Sequence, residues 1–310
     1  LSRRRRGDPV SGVVLFDKPA GLSSNQALQR VRRLFNARKA GHTGTLDPFA
    51  TGLLPLCLGE ASKTTSFLLA ATKAYRAQAR LGEATSTGDP EGEVVATGPV
   101  PEADAAAVAA VLEGLTGAQE QVPPMFSAIK HEGRPLYEYA RRGETVPRKP
   151  RPVVIFELAL LHWLPPVLEF EVVCSKGTYV RTLAEDMAAA LGTVAHLRAL
   201  RRLRVGPFPA EDMVTLDELE AAAEAGGLRE HLLPVDAGLA DWPVVRLDAP
   251  GARAFAHGNP APVVGEANEA DDAMVRVRDA EDRLLGLGEV HGTEVRPKKV
   301  FQREEMGGEA

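Results

Sequence analysis

The chain has 310 residues, 44% of them hydrophobic and 25% charged, with a formal net charge of −5; that is enough chain for one large domain or two unequal ones, with the make-up of a globular protein. No apolar run approaches the roughly 20 residues of a membrane span, and the Arg3–Arg6 start lacks the apolar stretch of a secretory leader. Two cysteines, Cys57 and Cys174, and seven scattered histidines give no disulfide framework and no metal-ligand spacing, so a reducing cytoplasm and no metal are expected.

The charge is unevenly spread. Residues 1–208 hold 27 Lys and Arg against 20 Asp and Glu, a balance of +7, and residues 209–310 hold 10 against 22, a balance of −12. A basic portion beside an acidic one points to a polyanionic partner for the first.

In chain order, residues 1–10 are basic, lack apolar periodicity and are expected to form a disordered arm. Val13–Phe16 reads as a short buried strand. Ser23 or Ser24 caps a helix with Leu28, Val31, Leu34 and Phe35 on one face and Arg30, Arg32 and Arg33 on the other. A Gly/Thr-rich stretch, Gly41–Gly52, follows, then an apolar segment, Leu53–Leu58, and a helix near Lys63–Ala71. Tyr75, Ala77, Ala79 and Leu81 alternate with Arg76, Gln78 and Arg80, the period of a half-buried strand. Gly82–Gly98 is loop-rich, and Ala103–Leu115 is an alanine-rich helix. The segment 121–152 is rich in proline and carries Lys130, Arg134, Arg141, Arg142, Arg148, Lys149 and Arg151, with little apolar periodicity beyond a short LYEYA turn; it is expected to be a mobile basic insertion. Val153–Leu161 and Val167–Cys174 are expected to pair as strands across a Pro-Pro turn. Leu183–Leu191 reads as a helix closed by Gly192, and Val194–Leu203 as another helical run with Arg198, Arg201 and Arg202 on one face. Thr215 with Glu218 makes a capping-box pattern at the head of Thr215–Ala225. After Trp242 short β-rich runs alternate with Gly, Asp and Pro turns, so a small β domain is expected over 243–310, with the main domain over 11–242.

The run GHTGTLDPFATG places one carboxylate, Asp47, on a shaped loop: glycine permits close approach and positive φ, and Pro48 steers Asp47 away from the helical conformation. Alone this is the composition of an ordinary turn. It stands, however, with GVVLFDKPAGLSS (Gly12–Ser24), KAYRAQARLG (Lys73–Gly82) and CSKGTYVRTLAEDM (Cys174–Met187). These four segments, in this order, closely resemble the TruB family of tRNA pseudouridine synthases over about Val10–Phe208, and more weakly beyond.

The resemblance implies an α+β pseudouridine synthase fold, a mixed and mostly antiparallel sheet flanked by helices, with a small C-terminal PUA-like β domain. It implies isomerisation of a uridine in the tRNA T loop, nucleotide 55, to pseudouridine. That reaction is redox-neutral and calls for no cofactor. It needs a nucleophile to hold base or sugar while the base turns, and a route for the C5 proton. By resemblance Asp47 is the nucleophile, attacking either uracil C6 or ribose C1′, two alternatives that the residues leave open. Arg181 matches the arginine that pairs with it. Tyr75 matches the tyrosine against the uracil and on the path of the C5 proton. Tyr179 and Leu200 match pocket-lining residues, Lys18 and Lys63 basic residues near the pocket, and His42 a residue that enters the RNA loop and helps hold the flipped nucleotide. Lys18, within DKPAG, alternatively organises the first loop. The basic insertion resembles the family's mobile segment that closes over the T arm, and phosphate contacts supply affinity. Any RNA contact by the acidic C-terminal part requires a local basic patch such as Arg296, Lys298 and Lys299. Without an oligomer signature a monomer is expected.

The rival reading is a non-catalytic RNA-binding or tRNA-folding factor on the same scaffold, which would need none of Asp47, Tyr75 and Arg181. Ser127-Ala-Ile-Lys130 matches S-x-x-K of acyl-serine enzymes, but the partner motifs are missing. The glycine-rich loop lacks the G-K-[ST] ending of a P-loop.

Overall fold

The structure, a computed structural model, describes residues 7–263 and 272–302. Strand β1 (Gly12–Lys18) leads to α1 (Ser24–Leu34), the short β2 (Ala40–His42), β3 (Thr51–Leu58), α2 (Thr65–Ala70) and β4 (Lys73–Leu81). A hairpin of β5 (Glu83–Thr85) and β6 (Val94–Thr97), then α3 (Ala105–Gly114) and β7 (Gly117–Gln121), precede a small hairpin of β8 (Lys130–His131) and β9 (Arg134–Pro135) and the short helix α4 (Leu136–Ala140). The long pair β10 (Arg151–Leu164) and β11 (Val167–Cys174) follows, with α5 (Val180–Ala190), β12 (Ala195–Val205), β13 (Phe208–Pro209) and α6 (Leu216–Ala225). The last part holds β14 (Val244–Arg246), α7 (Ala249–Ala256), β15 (Ala261–Pro262), β16 (Met274–Arg278), β17 (Leu284–His291) and β18 (Glu294–Val300).

The larger sheet runs β1-β3-β12-β4-β11-β10-β7, with β2 beside β3 and β13 beside β12. Its pairs are antiparallel except β3 with β12, so it is the expected mixed, mostly antiparallel sheet. Strands β1 and β3 are continuous apolar runs because both their faces are covered. Val14, Phe16, Leu54 and Leu56 pack into the core under α1, while Val13, Leu15, Leu53 and Cys57 pack on the opposite side with Val235, Leu239, Leu287 and Phe301. Each such fully buried side chain contributes on the order of 1.5–3 kcal/mol. Strand β4 is covered differently: Tyr75, Ala77, Ala79 and Leu81 are buried and Arg76 is exposed, the alternation seen in the sequence.

Local signals set the helix ends. Ser23 caps α1, its side chain accepting from Gln26 N while the Gln26 side chain returns to the Ser23 backbone. Thr215 and Glu218 make the same reciprocal pair at α6.

One expected element is of the wrong type. The run 194–203 is not a helix; it is β12, the strand between β3 and β4. Its register slips between Leu197 and Ala199 and again between Arg202 and Arg204. A bulge adds a residue to one strand and shifts the side-chain alternation, so the buried Leu197 and Leu200 fall three apart, and Arg198, Arg201 and Arg202 fall at the i, i+3, i+4 spacing of a helix face. The three arginines do not share a face. Arg198 is exposed, Arg201 pairs with Asp17 at 2.7 Å, and Arg202 is 1% exposed.

Residues 1–6 of the expected N-terminal arm lie outside the described residues. Beyond them the chain is seated: Asp8 N donates to Asn36 O at 2.7 Å and Arg38 N to Asp8 O at 3.1 Å. A five-stranded sheet, β14-β16-β17-β18-β15, forms the C-terminal part. It is fixed to the first part at Glu60, which is fully buried and accepts from Gln302 N at 2.8 Å and from Lys63 Nζ. Lys63 Nζ also donates to Val300 O at 2.7 Å. Trp242 stands edge-on to Phe67, ring centres 4.8 Å apart. Among the described residues no helix is long and apolar enough to cross a membrane.

Candidate active site

The loop between β2 and β3 carries Asp47, and three contacts shape it. Ser24, the first residue of α1, accepts from Leu46 N at 2.8 Å and donates to Leu46 O at 3.0 Å. Lys18, at the end of β1, is fully buried and its Nζ donates to Pro19 O, Leu22 O and Pro48 O at 2.9, 2.7 and 3.2 Å. At the far end Gly52 has φ +98°, and a Cβ there would lie 2.8 Å from Arg202 N and closer still to Arg202 O. Only glycine lets β3 and β12 approach so closely.

Arg181, on the first turn of α5, meets the loop. Its side chain is 3% exposed, and its Nε lies 3.0 Å from Asp47 Oδ2, with Nη2 3.4 Å from Oδ1. The remaining donors are used as well: Nη1 to Thr87 O at 2.7 Å, Nη2 to Phe126 O at 2.7 Å, and a second carboxylate, Asp89, at 3.6 Å. One guanidinium thus gathers the Asp47 loop, the β5–β6 turn and the start of the basic insertion. Burial raises the Asp47 carboxyl above its ordinary value of 3.8; Arg181 pulls it back, and Asp89 adds to the rise. Lys18 is pushed down to about 8 by burial, against the pull of Asp47.

Above this pair lies a cavity of about 360 Å³, whose lining includes Asp47, Tyr75, Tyr179, Arg181 and Leu200. Tyr75 is 9% exposed on β4 and faces Arg202 of β12 directly across the sheet. Tyr179 caps α5 and is held by Gln121, which accepts from Tyr179 N at 2.9 Å. Leu200 pairs with Ala77, so it reaches the cavity from a strand rather than from the expected helix.

Of the eight residues singled out in the sequence, these five meet at the cavity. Lys18 sits beneath the loop and ties it by carbonyls. His42, on β2, is beside the cavity; its Nδ1 accepts from Gly44 N at 3.4 Å, and burial, aided by Arg202, lowers its pKa below 6.5, leaving it a neutral acceptor at pH 7. Lys63 is not at the cavity: its ammonium is engaged at the C-terminal junction. Four lining or supporting residues were given no role at this site in the sequence. Asp89 stands in an ordinary-looking turn. Lys73 lay inside a quoted motif but carried no role; its Nζ caps the end of α2 through Leu68 O, Leu69 O and Ala71 O. Arg202 was hidden by the helix assignment. Ser127, within the basic insertion, is buried with no hydrogen-bond partner for its Oγ among the described residues and faces the cavity beside the Tyr179 phenol, without the alignment of a hydrogen bond. Among the described residues no group of three or more His, Cys, Asp or Glu could hold a metal ion.

Comparison with known proteins agrees with this architecture. A family profile described as TruB family pseudouridylate synthase (N terminal domain) matches residues 32–180. Two further profiles, the tRNA pseudouridylate synthase B C-terminal domain and Pseudouridine synthase II TruB, C-terminal, match 181–240 and 243–301. The chain is 48% identical over 310 residues to a tRNA pseudouridine synthase B of Chromohalobacter salexigens, covering all of both chains. To one of Burkholderia mallei it is 52% identical over 294 residues, covering 94% of this chain and 97% of that protein. Its fold is similar to a chain of a solved Cbf5-Nop10-Gar1 complex, with a TM-score of 0.73 and 28% identity over 95% of this chain and 86% of that one. With relatives near half identity along its whole length and matching profiles from residue 32 to 301, the chain belongs to the TruB family of tRNA pseudouridine synthases, which are isomerases.

Proposed function

We propose that this protein converts the T-loop uridine at tRNA nucleotide 55 to pseudouridine, using Asp47 as the covalent nucleophile. The observation that carries the reading is the Asp47 carboxylate, held by the Arg181 fork at the floor of a base-sized cavity beside Tyr75 and Leu200. A uracil stacked in RNA cannot reach that floor, so the nucleotide must flip out. Tyr179 and Leu200 then bracket the base, and Tyr75 lies against it to take the C5 proton. His42, neutral beside the cavity mouth, supports the displaced RNA loop. Asp47 attacks uracil C6 or ribose C1′; both place the reacting carbon near its carboxylate. The isomerisation moves no net electrons and needs no cofactor.

The basic insertion 121–152 supplies phosphate contacts to the T arm. Its Phe126 carbonyl already bonds Arg181, which links its position to the catalytic pair. The domain 243–310 is a PUA-like module that extends the RNA-facing surface; of its candidate basic patch, Lys298 is engaged by Glu289 at 2.6 Å. The protein acts as a monomer, in the cytoplasm where its substrate is. Mapping pseudouridine in a full-length tRNA transcript after incubation with the protein tests this. A single new pseudouridine at position 55, retained in an isolated T-arm hairpin, is expected. Modification elsewhere, or none, would contradict it.

A further inference from the structure

Arg202 stands out among the charged residues. It is 1% exposed, and among the described residues it makes no ion pair with a carboxylate. A guanidinium is charged at every working pH, and a buried charge without a counter-charge is costly unless its hydrogen bonds are met. Two are: Nε donates to Leu53 O at 2.7 Å and Nη2 to Gly44 O at 3.2 Å. The first acceptor belongs to β3, and the second to the loop that carries Asp47. The third neighbour is Tyr75. The two residues are direct partners across the antiparallel β4–β12 pair, where side chains on one face come within contact. The guanidinium favours the ionised form of the phenol, opposing the burial that disfavours it.

We infer that Arg202 is the positioning residue of the proton-transfer step: it fixes Tyr75 against the nucleophile loop and carries the phenolate charge that develops while Tyr75 handles the C5 proton. This rests on the reading of Tyr75 given above. In the step, the C5–H bond breaks after C5 has joined ribose C1′. Its electron pair enters the ring as the C5=C6 bond. Where Asp47 attacked C1′, the C6=N1 pair moves onto N1, which gains a proton from water. Where Asp47 attacked C6, the C6–O bond breaks and returns the Asp47 carboxylate, N1 having gained its proton from water on leaving C1′. The C5 proton passes to Tyr75 Oη as the phenol's own proton leaves to solvent. No electrons are lost, and the net change is isomerisation. Because Arg202 makes no ion pair with an acid among the described residues, its charge is available to the phenol rather than neutralised beforehand. That separates it from Arg181, whose charge is spent on Asp47 and Asp89.

The test divides the reaction at the C5 proton. RNA carrying 5-fluorouridine can form its adduct with Asp47 but has no C5 proton to lose; RNA carrying 5-tritiated uridine reports that loss. Arg202→Met, checked for native circular dichroism, is expected to form the fluorinated adduct at the wild-type rate while releasing tritium at least about 10²-fold more slowly. A C5 deuterium isotope effect larger than in wild type is expected with it. Arg202→Lys, which keeps the charge but loses the fork, is expected to recover part of the release. Equal losses of adduct and tritium release would overturn the inference, because Arg202 would then only hold the loop; so would wild-type release from Arg202→Met. If Arg202→Met fails to fold, the same comparison in Arg202→Lys decides, with loss confined to tritium release supporting the inference and parallel loss or no loss overturning it. Tyr75→Phe runs beside them: undiminished tritium release there removes Tyr75 from the proton path, a failure of the earlier reading that is distinct from a failure of Arg202.

Discussion

Arg181 is the residue on which the site's electrostatics turn. Its fork favours the ionised form of Asp47 against a burial that raises the carboxyl above its ordinary value. A nucleophilic carboxylate is lost on protonation, so the rate should fall as pH drops through this raised pKa, at a pH above the ordinary 3.8. Arg181→Lys forfeits the second arm of the fork. We expect a fall in kcat of about 10²–10³-fold, as for loss of one oriented donor, with the acidic limb moved to higher pH; a pH–rate series on both proteins checks it, and an unmoved limb would count against the pairing. The sign for stability is opposite to that of a carboxylate whose pKa is lowered by its ion pair. Because the folded protein binds the Asp47 proton more tightly than the unfolded chain does, ionising it costs stability as pH rises through that window. Asp47→Asn should therefore be at least as stable as wild type at pH 7, with Arg181 still held by Asp89 and two carbonyls; urea unfolding measures this. Asp47, Tyr75 and Arg181 were legible because each sits in a dense motif. Asp89 was not, since the turn around it is ordinary until Arg181 folds onto it.

At the scale of elements, strands with clean alternation or a short apolar run, β1, β4 and β11, could be read in order, as could the capped helices α1 and α6, while β3 showed only as an apolar segment. Strand β12 could not. Its two bulges give LRALRRLR a helical spacing, and only the hydrogen bonding of β3 and β4 on either side makes it a strand. Hidden with it were Arg202 and the contact that demands glycine at position 52. Gly52→Ala places a methyl group onto the Arg202 backbone in a positive-φ conformation. We expect a loss of about 2 kcal/mol or more in denaturant unfolding; a loss within error would show that β3 and β12 can part without cost.

Over the whole molecule, the start of the β-rich part after Trp242 was visible as a change in texture, but its seating on the larger sheet was not. Glu60 and Lys63 lie within ordinary helix-like sequence, and their partners, Gln302 N and Val300 O, are more than two hundred residues away. Glu60→Ala leaves the Gln302 N–H and the Lys63 ammonium without their buried acceptor. It should cost about 1–3 kcal/mol and expose the junction near residue 242 to proteolysis; an unchanged cleavage pattern would contradict this seating. The charge division has its own consequence. If the basic insertion meets phosphates, replacing Arg148, Lys149 and Arg151 with Gln should lower the slope of log binding against log salt by up to about 3. Equilibrium binding to a T-arm hairpin across a salt series measures it, and an unchanged slope would place the phosphate contacts elsewhere.

The central claim is that Asp47 performs covalent chemistry on a uridine. Tritium release from tRNA carrying 5-tritiated uridine, measured for wild type beside Asp47→Asn, tests it most directly, since the reaction must expel the C5 hydrogen. Release by wild type alone, with tRNA binding retained by the folded variant, is the predicted result. Release by Asp47→Asn at a comparable rate would contradict the assignment of the nucleophile.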